Sequence, residues 1–203
     1  MIPRTPGIFP LLFPKIIFWV KPRGEERVVY LTFDDGPNPE ATGFVLDCLA
    51  KYEAKATFFT VGENVERYPE IMQRIREEGH TSGHHTNKHL NALHTSKAEY
   101  LADVEIAASK NPSPFFRPPY GKLTLPVYQA LKNKYRIVLW DIISEDYDEN
   151  YTAEECIEKV LKQVRPGSII VLHDNPKCLE KVKVILPELL AELTKREFIC
   201  SAL

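Results

Sequence analysis

Two adjacent carboxylates, Asp34 and Asp35, follow the β-branched and aromatic run Val28–Phe33 and are closed by Gly36-Pro37. Such a pair repels itself, so a fold that keeps both ionised sets a metal ion or a cationic side chain beside them; otherwise Asp-Asp-Gly-Pro is a solvated acidic turn. Further along, five of the six histidines (His80, His84, His85, His89 and His94) crowd into fifteen residues. His85 and His89, four apart, can face one another across one turn. With a carboxylate they make the donor set that holds zinc while leaving a position open for water. His80, His84 and His94, each taken alone, read as packed or surface histidines.

Three later segments carry further reactive groups. In Phe116-Arg117-Pro118-Pro119-Tyr120-Gly121 two prolines fix the backbone just past a strand, which aims Arg117 and the Tyr120 amide at small entropic cost. Trp140-Asp141-Ile142-Ile143-Ser144-Glu145-Asp146-Tyr147 is acidic and reads either as a solvated loop or as a source of a working carboxylate. Ile169-Ile170-Val171-Leu172-His173-Asp174 places a histidine at the end of a buried strand. No Gly-x-Ser-x-Gly elbow is present, which argues against a serine nucleophile.

The elements that must position these groups form an α/β alternation. Seven strands are expected: Val28 to Phe33, Ala56 to Val61, His80 to His84, Phe115 to Arg117, Arg136 to Trp140, Ser168 to Leu172 and Phe198 to Cys200. Between them, apolar residues recur at helical spacing: Ile71, Met72 and Ile75; Ile157, Val160, Leu161 and Val164; and Val182, Ile185, Leu186, Leu189, Leu190 and Leu193. Thr152 with Glu155 three residues on starts the second of these helices as a capping box, and Pro166-Gly167 closes it. Every reactive group falls at the carboxyl end of a strand. Contributions from the first strand through the sixth converge most easily if the sheet curls, so a distorted, incomplete (β/α) barrel of about seven parallel strands is expected.

At 203 residues, one compact domain is the natural count, and 44% hydrophobic with 27% charged residues fits a globular chain. A net charge of −2 offers no basic footprint for nucleic acid. The four cysteines, Cys48, Cys156, Cys178 and Cys200, are far apart and lack any Cys-x-x-Cys pair, so buried free thiols are expected. Residues 1–26 divide from the domain at 27–203 as an N-terminal strap with five prolines in its first 22 residues. Its apolar stretch, Ile8 to Val20, is 13 residues long and contains Pro10, Pro14 and Lys15, short of the ~20 needed to span a bilayer. As a secretory leader it meets Lys21-Pro22-Arg23 where small residues should be. The strap is expected to pack on the domain, with peripheral membrane contact as a second reading. Location leans towards cytoplasmic or cell-envelope associated.

From Val28 to the C-terminus the sequence resembles the polysaccharide deacetylases with a NodB homology domain, carbohydrate esterase family 4. Five motifs stand in that family's order: TFDDGP at Thr32 to Pro37, H-x-x-x-H at His85 to His89, RPPYG at Arg117 to Gly121, the Asp-aromatic pair Asp146-Tyr147, and Leu172-His173 at a strand end. The resemblance implies a distorted (β/α) barrel. It implies Asp35, His85 and His89 as ligands of one divalent transition metal, zinc foremost. It implies Asp34 as general base beside Arg117, and His173 as general acid with Asp146 behind it. The backbone amide of Tyr120 would join the metal in stabilising the oxyanion, and Leu172 with Tyr147 would wall the acetyl pocket. Here Tyr147 stands where the family commonly has Trp, and Ile143 where it often has a further Asp, so the acyl pocket differs in shape and polarity.

The expected function is removal of acetyl groups from N-acetylated sugars of a peptidoglycan- or chitin-like polysaccharide. The same mechanism would serve an O-acetyl esterase on polysaccharide or a non-sugar amidase. A non-catalytic glycan-binding relative is the remaining alternative, and it would need neither the metal set nor the acid and base.

Overall fold

The computed structural model describes residues 13–22 and 24–203; the earlier part of the strap and Arg23 lie outside the described residues. Among the described residues nine strands are present: β1 (Ile16–Ile17), β2 (Val28–Asp34), β3 (Ala56–Thr60), β4 (Thr81–His84), β5 (Phe115–Phe116), β6 (Arg136–Val138), β7 (Ile142–Ile143), β8 (Ile169–His173) and β9 (Ile199–Cys200). They pair in the order β1-β6-β5-β4-β3-β2-β8-β7, with β9 added to the start of β2, and every ladder is parallel. Helices α1 (Ala41–Lys51), α2 (Gly62–Arg67), α3 (Pro69–Glu77), α4 (Lys97–Lys110), α5 (Leu125–Leu131), α6 (Ala153–Gln163) and α7 (Leu179–Lys195) connect them. The fold is the expected incomplete α/β barrel.

Strand alternation sorts side chains into two layers. Val29, Leu31 and Phe33 of β2, Ala56 and Phe58 of β3, and Ile170 and Leu172 of β8 pack outward against α1, α3, α6 and α7. Phe59, Phe115, Val138 and Ile169 fill the interior instead. The expected apolar stripe of α7 (Val182, Ile185, Leu186, Leu189, Leu190 and Leu193) is wholly buried in the outer layer, and each such side chain contributes about 1.5–3 kcal/mol relative to exposure. The capping box of Thr152 and Glu155 is formed in both directions.

Two strands go beyond the seven expected. β7 has only Ile142 and Ile143, set among acidic residues, and β1 has only Ile16 and Ile17, bounded by prolines; neither is long enough to display alternation. They nonetheless bring the sheet's edges together. Leu139 donates from its amide to the Ile17 carbonyl at 2.8 Å, and two residues on Asp141 donates to Ile169 at 3.0 Å, so this short link crosses from the β6 side to the β8 side. The strap seals the gap below it: Trp19 bridges Ser168, its indole donates to the Pro166 carbonyl at 2.9 Å, and the Val20 amide donates to Gly167 at 2.9 Å. Gly167 has φ +87, and a Cβ there would lie 1.9 Å from the Val20 carbonyl oxygen, so only glycine lets the strap approach. Among the described residues no helix is long and apolar enough to cross a membrane.

Candidate active site

Asp34 ends β2 on the interior face and is buried at 3% exposure. Arg117, immediately past β5 and fully buried, donates through Nη1 to Asp34 Oδ1 at 2.6 Å and to Thr32 Oγ1 at 2.8 Å. Its Nε and Nη2 donate to the carbonyls of Val138 and Leu139, and its guanidinium carbon sits 4.0 Å from the centre of the Phe59 ring. The cost of burying this cation is offset by a complete set of partners around a rigid fork. The pairing of Asp34 with Arg117 expected from the sequence is formed.

Asp35, His85 and His89 converge, with potential ligand atoms within 4.8 Å of one another. His85 and His89 do not face each other across a helical turn. They lie on a loop after β4 in which Thr86 (φ 62) and His89 (φ 55) take left-handed conformations, and their rings come to 5.0 Å. His85 Nδ1 lies 2.7 Å from the Arg117 carbonyl oxygen, an acceptor, so that nitrogen carries the proton and Nε2 presents its lone pair. Burial pushes the His85 pKa down to about 4, leaving the ring neutral at pH 7. Its Nε2 is 3.7 Å and that of His89 3.1 Å from Asp35 Oδ1, a buried oxygen that accepts no hydrogen bond. Burial alone would raise the Asp35 carboxyl, yet the ring of His89 and the charge on His173 hold it well below the usual carboxylate range. A buried anionic oxygen facing a lone-pair nitrogen is the surrounding a divalent cation satisfies, and two imidazoles with one carboxylate fit zinc or a similar ion.

His173 ends β8 beside Asp34, its register partner on β2. Asp146, beyond β7 and 2% exposed, accepts from His173 twice: Oδ1 at 2.8 Å from Nδ1, and Oδ2 at 2.7 Å from the backbone amide. Ser144 Oγ donates to Asp146 Oδ1 at 3.0 Å. Burial works to lower the His173 pKa, but the charge and hydrogen bond of Asp146 dominate and bring it to about 10, so the ring is an imidazolium at pH 7. The acidic stretch at Glu145-Asp146 is therefore not a solvated loop, for Glu145 is also buried and paired with Lys159 at 2.6 Å.

Two exposed rings flank these groups. Tyr120, with φ 59, stands edge-on to His89 at 4.7 Å between centroids, and Tyr147 stands edge-on to His173 at 5.2 Å. Leu172 requires a correction. It is fully buried in the outer layer among residues of the helices, and one step along a strand from His173 it faces the opposite way. Val171, two before His173 and likewise fully buried, shares the inner face with it.

Several supporting residues escape a motif-based reading. Asp103 in α4 accepts from the amides of Asn87 (2.7 Å) and Lys88 (3.0 Å), fastening the loop between His85 and His89. Asp103 stands out in the sequence as a charge on the helix face formed by Tyr100, Val104 and Ala107. Asn64 Nδ2 donates to the Asp35 carbonyl at 2.9 Å, and Asn175 Nδ2 to Asp35 Oδ2 at 2.8 Å. Asp174 is buried at 1% exposure, which pushes its pKa up to about 7 against hydrogen bonds from Thr42 and Gly36. Among the described residues seven non-glycine positions have positive φ, and five of them (Asp35, Thr86, His89, Tyr120 and Glu145) lie in loops at this edge of the sheet. Each costs about 1–2 kcal/mol, and strain concentrated at one edge marks where the fold is held for a purpose other than stability.

The same arrangement of elements occurs in known proteins. A family model described as polysaccharide deacetylase matches residues 21–137. A peptidoglycan-N-acetylglucosamine deacetylase of Bacillus cereus is 34% identical over 190 residues, covering 90% of this chain and 88% of the relative. A chitooligosaccharide deacetylase of a Bradyrhizobium strain is 36% identical over 157 residues, 73% of this chain and 71% of the relative. Among solved structures, a peptidoglycan N-acetylglucosamine deacetylase bound to 4-naphthalen-1-yl-N-oxidanyl-benzamide superposes with a TM-score of 0.85 at 30% identity, covering 98% of this chain and 95% of the other. With the family model spanning more than half of its length, this chain belongs to the polysaccharide deacetylase family.

Proposed function

We propose that the protein is a metal-dependent hydrolase that removes acetyl groups from N-acetylated sugars of a peptidoglycan- or chitin-like polysaccharide. One observation carries this reading. At the ends of neighbouring strands stand a carboxylate backed by a buried guanidinium (Asp34 with Arg117) and an imidazolium backed by a buried carboxylate (His173 with Asp146), beside the cluster of Asp35, His85 and His89. The similarity to relatives named for peptidoglycan and chitooligosaccharide supports the sugar class.

A divalent ion held by Asp35, His85 and His89 would polarise the acetamide carbonyl and acidify water. Asp34 takes the proton from water as its oxygen adds to the acetyl carbon. The Tyr120 backbone amide, fixed by the Pro118-Pro119 turn, donates to the developing oxyanion. His173 delivers its Nε2 proton to the nitrogen as the C–N bond breaks, giving acetate and a free amine. Val171 and Tyr147 bound the space for the methyl group. Protonation matters more for an amine than for an alkoxide, so a ring held as imidazolium favours amides over O-acetyl esters. A panel of N-acetylglucosamine oligomers, peptidoglycan and O-acetylated xylan, each scored for acetate release per second, tests the assignment. Higher kcat/KM on the N-acetylated substrates is expected; the reverse order makes the protein an esterase of the same mechanism.

A further inference from the structure

Asp174 has no part in the proton transfers above, yet it grips the turn that carries both aspartates. Its backbone amide donates to the Asp34 carbonyl at 3.0 Å. Its Oδ1 accepts the Gly36 amide at 3.0 Å, on the other side of Asp35. Its Oδ2 accepts the Thr42 hydroxyl at 2.5 Å, and Thr42 Oγ1 in turn accepts the Asn38 amide at 2.8 Å. Between these two attachments Asp35 has φ 84, a conformation that a residue with a Cβ abandons unless neighbours over-determine it. Gly36 is required by the same contact, since a Cβ on it would stand 2.1 Å from Asp174 Oδ2.

We infer that Asp174 is a positioning residue that clamps the Asp34-Asp35-Gly36 turn, so that Asp35 presents its carboxylate to the same point as His85 and His89. The inference rests on the reading of Asp35 as a metal ligand. It adds a requirement that the donor set alone does not contain: without the clamp the left-handed turn relaxes, Asp35 swings, and the ion loses its carboxylate. The next residue works in the same direction, Asn175 holding Asp35 Oδ2. Two residues beyond the acid His173 thus fix the ligand across the β2–β8 pair, coupling the geometry of the acid to that of the metal centre.

The test is the affinity of the full-length protein for Zn2+ and Co2+ by competition with a chromophoric chelator, together with the visible spectrum of the Co2+ form. Asp174→Ala should weaken binding on the order of 10- to 100-fold and change the Co2+ spectrum. Asp174→Asn should restore most of the affinity, because an amide oxygen still accepts from Gly36 while its NH2 donates to Thr42. Asp141→Ala removes a carboxylate equally buried at the opposite end of the strands, where it bonds Arg165 and Ser168, and should leave metal affinity unchanged. Should Asp174→Ala fail to fold, Thr42→Val frees the outer oxygen alone and should give a smaller loss in the same direction. Wild-type affinity in Asp174→Ala, or in Thr42→Val where that variant stands in, overturns the clamp while leaving the ligand set intact. Failure of the wild-type protein to bind either ion overturns the ligand reading and the clamp with it.

Discussion

Asp34 and His173 are register partners at the ends of adjacent parallel strands, and each is held from behind by a buried group of opposite charge, Arg117 at 2.6 Å and Asp146 at 2.8 Å. The backing ions matter because a bare carboxylate and a bare imidazolium so placed would pair with each other. Engaged from behind, the two keep separate charges.

The His173–Asp146 pair should set the alkaline limb of activity. Burial would lower the His173 pKa, but Asp146 raises it to about 10, above the ~6.5 of a free imidazole. In Asp146→Asn the ring should lose its proton at lower pH, kcat should fall at pH 8, and the limb of the kcat profile should move to lower pH with metal content unchanged. The stabilisation from this pair is complete below about pH 6.5 and fades as pH rises through the folded value, so the variant's stability deficit should shrink towards high pH. Urea melts at pH 6 and pH 10 check the second statement, and a limb that stays in place contradicts the first.

If Asp34 is the base proposed above, replacing it should separate metal binding from turnover. Asp34→Asn keeps the shape of the side chain and leaves Asp35, His85 and His89 untouched, so metal content should remain near that of the wild type. Loss of the proton acceptor should lower kcat by roughly 10²- to 10⁴-fold. Metal analysis and acetate release on the same preparation distinguish this from a ligand role for Asp34.

Arg117 should behave first as a structural ion. Removing it in Arg117→Met strands a buried carboxylate, and breaking such a pair costs about 3–5 kcal/mol. Arg117→Lys should recover little, because one ammonium cannot reach Asp34, Thr32, Val138 and Leu139 together. Denaturant midpoints measured with and without Asp34→Asn should show the cost shrinking when the stranded charge is also removed.

Val171 and Leu172 should separate along the two faces of β8. Leu172→Ala opens a cavity in the outer core and should cost about 2–5 kcal/mol of stability while leaving KM for the acetylated substrate unchanged at low temperature. Val171→Ala should instead alter kcat/KM and the preference between acetyl and larger acyl groups.

Long strands and amphipathic helices were readable from sequence because their periodicity is imposed by burial: β2, β3 and β8, the stripe of α7 and the capping box of α6 all stand where the pattern puts them. The strand pairs Ile16–Ile17 and Ile142–Ile143 were not, since two residues carry no period and their ladders depend on distant partners. Motif order brought out the residues that pair and converge at this edge, Asp34 with Arg117, His173 with Asp146, and Asp35 with His85 and His89, but not their supports. Asp103, Asn64, Asn175 and Asp174 act through one to three hydrogen bonds each, to backbone or side-chain atoms distant in sequence, and such bonds leave no spacing rule. Leu172 shows the complementary failure, where adjacency to a reactive histidine hid the alternation that turns it away from the site.

The most direct measurement is a metal titration of activity. Protein stripped with chelator and dialysed is titrated with Zn2+ while acetate and free amine released from an N-acetylglucosamine oligomer are counted together. The expected result is negligible release from the stripped protein, recovery that saturates at one equivalent of metal, equal amounts of acetate and amine, and no recovery in a variant lacking His85 and His89. Full activity in the stripped protein, or no release at any metal content, would contradict the assignment.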